Sequence, residues 1–229
     1  MIIKGLQKTT LLDYPGCVAA TIFTGGCNYR CPFCHNMNLV NGEEPNTISE
    51  EEVLTFLSKR KGVLDGVCIT GGEPTLQRDL VSFIGRIRKM GYKVKLDTNG
   101  TNSNVIKELF EKNMLDYVAM DIKASKEKYS LCCGVTDTGT DEIITSVDII
   151  MNSGIDYEFR TTLVKELHDK DCFIGGCEII KGAKKYYLQS FVDSEYVPNH
   201  NFSAFDEKTL QQYVEIAARY VECAQIRGV

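Results

Sequence analysis

Short apolar, β-branched runs recur along the chain, and amphipathic stretches separate them. The runs are VAATIFT (18–24), GVCIT (66–70), YKVKLD (92–97), DYVAMD (116–121), IDYEFRTTLV (155–164) and KKYYLQSFV (184–192). Their length and composition predict strands. SEEEVLTFLSKR begins at Ser49 with acids in its first turn and Glu52 three residues on, the signature of a capped helix. Further helices are predicted at 77–90, 103–113, 141–153, 169–182 and 206–222, the last capped by Asp206. Six strand–helix pairs in strict alternation call for parallel strands joined by right-handed crossovers, hence an α/β fold. An open doubly wound sheet and an incomplete barrel both fit that order. In either, function gathers at the C-terminal ends of the strands.

The residues that follow each strand are chemically unusual. GGCNYRCPFCHN (25–36) follows the first, GGEP (71–74) the second, and DTNG (97–100) the third. The fourth ends in DIK (121–123), the fifth carries Arg160 and the sixth carries Gln189. Glycines, thiols and polar groups distant in sequence thus collect at one rim, as a single site would require.

Composition narrows the function classes. A 43% hydrophobic and 25% charged chain is ordinary for a globular protein. The net charge of −5 argues against a general nucleic-acid binder. The first residues lack the apolar run of a signal peptide, and no stretch approaches eighteen apolar residues, so no membrane span and a cytoplasmic location are expected. Ten cysteines are many for such a compartment. Cys17, Cys68, Cys172, Cys177 and Cys223 stand singly among small or apolar neighbours and read as buried hydrophobes. Cys132 and Cys133 are adjacent and badly placed to pair with each other.

Only Cys27, Cys31 and Cys34 cluster, in the spacing Cys-x-x-x-Cys-x-x-Cys. Three thiolates on one loop can converge on an iron–sulfur cluster. A cubane needs four ligands and this loop offers three, which leaves one iron open to a ligand that does chemistry. Zinc held with His35 is a rival, although adjacent Cys34 and His35 would strain to reach one ion. CPFC also looks like a glutaredoxin active site, but that reading leaves Cys27 and the glycine motifs idle.

The combination of this spacing, with an aromatic before the last cysteine, and GGEP resembles the radical S-adenosylmethionine (SAM) superfamily. DYPG (13–16), FTGGCNYRCPFCHN, GGEP, DTNG, DIK and YEFRTTLV together resemble the glycyl-radical-enzyme activases, most closely those of anaerobic ribonucleoside-triphosphate reductase, in the variant related to pyruvate formate-lyase activase. The likeness runs from about residue 4 to 192. It implies an incomplete (β/α)6 TIM-like barrel of parallel strands in one domain spanning 1–229, with its core at about 16–192 and a C-terminal helix at about 206–222. It also implies one 4Fe-4S cluster on Cys27, Cys31 and Cys34, with SAM chelating the fourth iron. Reductive cleavage would yield a 5′-deoxyadenosyl radical that takes hydrogen from a glycine of the partner. Flavodoxin or ferredoxin would be the electron donor. No cysteine lies in 37–65, so the ferredoxin-like insertion of some activases is absent.

Roles for other residues follow from the same likeness. Gly71 and Gly72 would let backbone approach the ligand, Pro74 would fix the turn, and Glu73 would accept from the SAM ammonium. An ordinary strand-to-helix turn is the alternative for that stretch. Asp97 and Thr98 would meet the SAM ribose or, with Asp121, a monovalent cation; Asp97 as a plain turn-former competes. Lys123 and Arg160 would face the SAM carboxylate, with a salt bridge at the rim as the other reading. Phe33 would pack by the adenine or in the core, Gln189 would reach the adenine, and His35 and Asn36 would shape the loop. Asp13 would face the incoming glycyl loop or simply make a turn. His168 and His200 have no evident partner in the sequence. Competing functions are activation of another glycyl-radical enzyme such as pyruvate formate-lyase, a small-molecule radical SAM reaction on a modified-purine precursor, and an electron carrier or thiol-redox protein.

Overall fold

The computed structural model describes residues 1–41 and 47–227. One sheet holds eight strands in sequence order: β1 (Ile3–Thr10), β2 (Ala19–Thr24), β3 (Gly66–Gly71), β4 (Lys93–Thr98), β5 (Tyr117–Asp121), β6 (Asp156–Leu163), β7 (Tyr186–Ser190) and β8 (Ala224–Arg227). From β2 to β8 every pairing is parallel; β1 lies antiparallel on the outer edge of β2. The fold is the expected α/β one, an incomplete TIM-like barrel, with the six predicted strands in place. β1 and β8 are additions to the prediction. β1 is an edge strand with three exposed residues in its eight, and β8 has only four residues, so neither carries a long apolar run.

Helices α1 (Met37–Asn41), α2 (Glu50–Ser58), α3 (Leu80–Lys89), α4 (Ser103–Glu111), α5 (Tyr129–Cys133), α6 (Thr140–Met151), α7 (Lys170–Ile179) and α8 (Glu207–Ala217) fill the connections. α2 starts in a capping box: Glu52 N–H donates to the Ser49 hydroxyl, and the Glu52 carboxylate accepts from Ser49 N–H at 2.8 Å. Asp206 caps α8 by accepting from Thr209 N–H at 2.9 Å. α3 begins later than its periodicity suggests, at Leu80, and a turn of 3-10 helix at Pro74–Leu76 precedes it. α4 ends at Glu111, two residues ahead of Asn113, whose φ of 51° no helix can hold.

The strands have two chemically different faces. Val94, Leu96, Val118, Met120 and Phe159 face the helices and pack with Phe83, Ile84, Ile106, Leu109 and Val147 into the main core. The opposite, inner face carries Lys95, Asp97, Tyr117, Glu158 and Arg160, which pair with one another, and Thr21, which donates to Asp13. Asp97 on β4 and Arg160 on β6 meet across the intervening strand at 3.0 Å, on the concave side. A polar inner face that satisfies itself leaves room at the strand C-termini for ligands.

Candidate functional site

A cavity of about 320 Å³ opens at the C-terminal ends of β2 to β7. That volume lies within the ~300–1,000 Å³ typical of small-molecule sites. Cys27, Cys31, Phe33, Cys34, Gly71, Gly72, Glu73, Asp97, Thr98, Asp121, Lys123, Arg160 and Gln189 all line it, together with His35 and Asn36. Of the residues given a role in the site by the sequence, Pro74 does not, and neither does Asp13. Asp13 lies at the other end of β2, where its carboxylate accepts from the Thr21 hydroxyl at 2.5 Å.

The cysteine loop is pinned to its neighbours by backbone. Gly72 N–H donates to the Thr24 carbonyl at 2.9 Å and Glu73 N–H to the Gly26 carbonyl at 2.9 Å. A Cβ on Gly72 would stand 1.9 Å from the Gly26 oxygen, and one on Gly71 (φ 113°) would stand 2.3 Å from the Thr24 nitrogen. These glycines therefore let the turn press against the cysteine loop, a different close approach from the one to a ligand that the motif suggested.

Glu73 is fully buried and is held by its own chain. Its Oε1 accepts from Thr75 N–H (3.0 Å), the Thr75 hydroxyl (2.6 Å) and the Thr98 hydroxyl (2.8 Å), and its Oε2 from Asn99 N–H (2.6 Å). Burial pushes the carboxyl above its ordinary value against these donors. Thr98 is thus committed to Glu73. Only Oε2, with a single donor, keeps spare accepting capacity for an incoming ammonium.

Charges alternate along the cavity floor. Arg160 bridges two carboxylates, with Nη1 on Asp97 at 3.0 Å and Nε on Asp121 at 2.9 Å. Lys95 pairs with Asp97, and Lys123 Nζ with Asp121 at 2.8 Å. Burial alone would raise the Asp121 carboxyl; Arg160 and Lys123 outweigh it and hold it far below the usual range. The Lys123 ammonium, which burial would depress, is raised by Asp121 and by the Cys31 sulfur. Of these cations, Lys123 and Arg160 line the cavity, each already paired with a carboxylate and each a donor that a ligand carboxylate could meet. Lys123 and Arg160 do form the rim salt bridges that were the alternative reading, and they line the cavity as well. A cation placed between Asp97 and Asp121 would share their oxygens with the Arg160 guanidinium.

The thiols fit an iron–sulfur cluster by their chemistry. The Cys27 sulfur accepts from Tyr29 N–H and the Cys34 sulfur from Asn36 N–H, both at 3.4 Å. Such N–H donors are what ligating sulfurs need, because they spread the negative charge of a cluster. Burial pushes the Cys27 thiol up to about 12, so a thiolate there needs a metal to hold it. All ten cysteines are free. Among the described residues, no three His, Cys, Asp or Glu side chains meet at the single point that one ion such as zinc would need.

Several contributors escaped the sequence reading. Asn99, inside DTNG, donates to Asn28 Oδ1 at 2.9 Å and lies 3.9 Å from the Cys27 sulfur, tying the β4 end to the cysteine loop. His168 is buried; its Nδ1 accepts from Val164 N–H at 3.0 Å and its Nε2 donates to the Lys123 carbonyl at 2.8 Å, with burial keeping the ring neutral. Phe33 is buried with its ring set edge-on to that imidazole. His200 pairs with Asp193 on the surface. Cys132 and Cys133 are both fully buried, on α5.

Comparison with known proteins agrees with this geometry. The sequence profile of the Radical SAM superfamily matches residues 21–172. A protein of Methanocaldococcus jannaschii, provisionally described as a glycyl-radical enzyme activating enzyme, is 31% identical over 100% of this chain and 96% of its own length. The pyruvate formate-lyase-activating enzyme of Clostridium pasteurianum is 28% identical over 73% of this chain and 70% of its own. Among solved structures, a domain of a pyruvate formate-lyase-activating enzyme from Bacteroides vulgatus superposes with a TM-score of 0.56, covering 71% of this chain and 99% of that one at 18% identity. Among the described residues no helix is long and apolar enough to cross a membrane.

Proposed function

The chain belongs to the radical SAM superfamily, among the glycyl-radical-enzyme activating enzymes, and from that premise we propose that it installs a glycyl radical on anaerobic ribonucleoside-triphosphate reductase. The family works with a 4Fe-4S cluster and SAM, which when bound supply an electron to the sulfonium and hence a 5′-deoxyadenosyl radical. Cys27, Cys31 and Cys34 would hold the cluster. Arg160 and Lys123 would receive the SAM carboxylate, Glu73 Oε2 its ammonium, and Phe33 and Gln189 would border the adenine. Flavodoxin or ferredoxin would deliver the electron.

The observation that carries the reading is a loop offering three thiols, Cys27, Cys31 and Cys34, set over one cavity with the cationic Lys123 and Arg160 in its lining. An electron carrier would close its cluster. A catalyst leaves the position open. The relative matching the whole chain supports activation of a glycyl-radical enzyme over a small-molecule reaction. The Clostridium pasteurianum relative favours pyruvate formate-lyase as a second target.

Electron paramagnetic resonance separates these targets. The protein, reconstituted anaerobically and reduced, is incubated with SAM and purified anaerobic ribonucleotide reductase of the same organism. The expected result is a glycyl-radical doublet, lost with Cys31→Ala. A doublet on pyruvate formate-lyase and none on the reductase moves the assignment to the second target. An intact cluster that neither cleaves SAM nor yields a doublet refutes both.

A further inference from the structure

Lys95 on β4 is a buried lysine that no motif accounts for. Its side chain is only 2% exposed. On the inner face its ammonium pairs with Asp97 Oδ1, 3.8 Å from the Cys68 sulfur and 5.9 Å from the centre of the Tyr117 ring. A buried ion pair is a costly way to hold a fold, since apolar residues of similar volume often do as well. The residues that the family likeness would offer to a monovalent cation are all engaged beside it. Asp97 Oδ1 is held by Lys95 and its Oδ2 by Arg160 Nη1 at 3.0 Å. Asp121 Oδ1 is held by Arg160 Nε at 2.9 Å and its Oδ2 by Lys123 Nζ at 2.8 Å. The Thr98 hydroxyl donates to Glu73 at 2.8 Å and accepts from Gly100 N–H at 3.1 Å. Every oxygen of the two carboxylates thus faces a cationic donor, and the guanidinium joins the pair. An alkali ion added there would stand against that guanidinium, away from bulk water, where like charges repel strongly. The donor set does not fit it.

We propose that the Lys95 ammonium takes the place of that cation. It is a positioning residue that neutralises Asp97 from inside the barrel and keeps Arg160 presented to the cavity, so that SAM binding needs no alkali ion. The step to SAM rests on the assignment of this cavity as the SAM site. Lys95 and Arg160 approach Asp97 through different oxygens, so the carboxylate is pinned from two sides. A guanidinium has more N–H donors than its bonds to Asp97 and Asp121 use, so Arg160 can hold both and still meet a ligand carboxylate. Without the ammonium, Asp97 Oδ1 would be left without its cationic donor inside the barrel. A small cation from solution is then the simplest replacement. Methionine follows the lysine stem and stops short of the ammonium, so Lys95→Met vacates a space of about that size, which potassium matches.

Two measurements on the full, anaerobically reconstituted chain test this, with potassium chloride exchanged for tetramethylammonium chloride at constant ionic strength. One is thermal unfolding without SAM, and the other is SAM affinity by equilibrium dialysis. Wild type is expected to be indifferent to the exchange in both. Lys95→Met is expected to bind SAM roughly tenfold more weakly in tetramethylammonium, a loss in the range of a shared charge network, and to regain most of it in potassium. Its Tm should rise in potassium too. Lys95→Ala serves as the ammonium-free variant if Lys95→Met does not fold. A potassium-dependent SAM affinity or Tm in wild type overturns the proposal. So does a folded ammonium-free variant that binds SAM as wild type does in tetramethylammonium, or a loss that potassium leaves unrepaired, which would make Lys95 a structural residue only. Failure of wild type to bind SAM in either salt, with potassium-specific stabilisation confined to the variant, refutes the SAM assignment and retains the role of Lys95 at Asp97.

Discussion

At the scale of single residues, Gly72 shows how little space the site leaves. Its missing Cβ would sit 1.9 Å from the Gly26 carbonyl, a backbone atom with no rotamer to yield. Gly72→Ala must push the cysteine loop off the β3 end, with a cost of at least about 1–3 kcal/mol from overpacking. Iron content after reconstitution should fall with it. Gly154→Ala makes the control: φ there is 78° but nothing lies within 4 Å. It should cost about 1–2 kcal/mol of left-handed strain and leave iron content alone. Both are read by urea denaturation and iron assay; a Gly72→Ala protein with full iron would contradict the role of the contact. The thiols, GGEP, DTNG and Arg160 were legible in the sequence because such types gather at strand ends for few other reasons. Asn99 and Cys133 were not, since an Asn in a turn and a Cys in a short apolar helix have commonplace explanations. Only the fold brings residue 133 beside residue 30 of the cysteine loop.

At the scale of elements, β8 has a task that its four residues do not advertise. It carries Arg227 to Glu158 on β6, with Nη1–Oε1 at 2.6 Å and Nη2–Oε2 at 3.0 Å, while Tyr117 donates to the same carboxylate at 2.7 Å. Glu158 has no exposed surface, and burial would push its carboxyl up; Arg227 and Tyr117 prevail and hold it below its ordinary 4.5. A depressed carboxyl stabilises the fold at pH above 4.5, and that contribution is lost as pH falls through the lower folded value. Arg227→Met should therefore cost about 2–3 kcal/mol at pH 7, less than the 3–5 of a fully buried pair because Arg227 is 36% exposed. The difference from wild type should shrink in acid, below the ordinary value. Denaturation at pH 7 and near pH 3.5 checks it; a difference independent of pH would mean that packing, not charge, holds β8. The same strand shows where sequence reading stops. The six central strands are apolar on the helix-facing side, and that periodicity survives any context. β1 and β8 lie at the sheet edges, where polar residues such as Lys4, Gln7, Gln225 and Arg227 are tolerated and the pattern fades.

At the scale of the whole molecule, the cavity draws side chains from loops and strands distant in sequence, Cys27 to Ser190, and no local segment contains it. A ligand held there ties together six successive parallel strands, and it binds the folded chain alone. Binding should therefore appear as global stability: at a hundredfold excess over Kd, about 2.7 kcal/mol. For a chain of this size each kcal/mol moves Tm by about 2–4 °C, so SAM should raise the Tm of the cluster-loaded protein by about 5–11 °C. If the open iron supplies much of the affinity, the cluster-free Cys31→Ala protein should shift far less at the same SAM concentration. Arg160→Met should lie between, because it keeps the thiols but loses the guanidinium that bridges Asp97 and Asp121. Anaerobic thermal unfolding of the three proteins with and without SAM decides it. Equal shifts in wild type and Cys31→Ala would place the ligand on the charged floor alone and detach it from the thiols. No shift in wild type would remove SAM from this cavity.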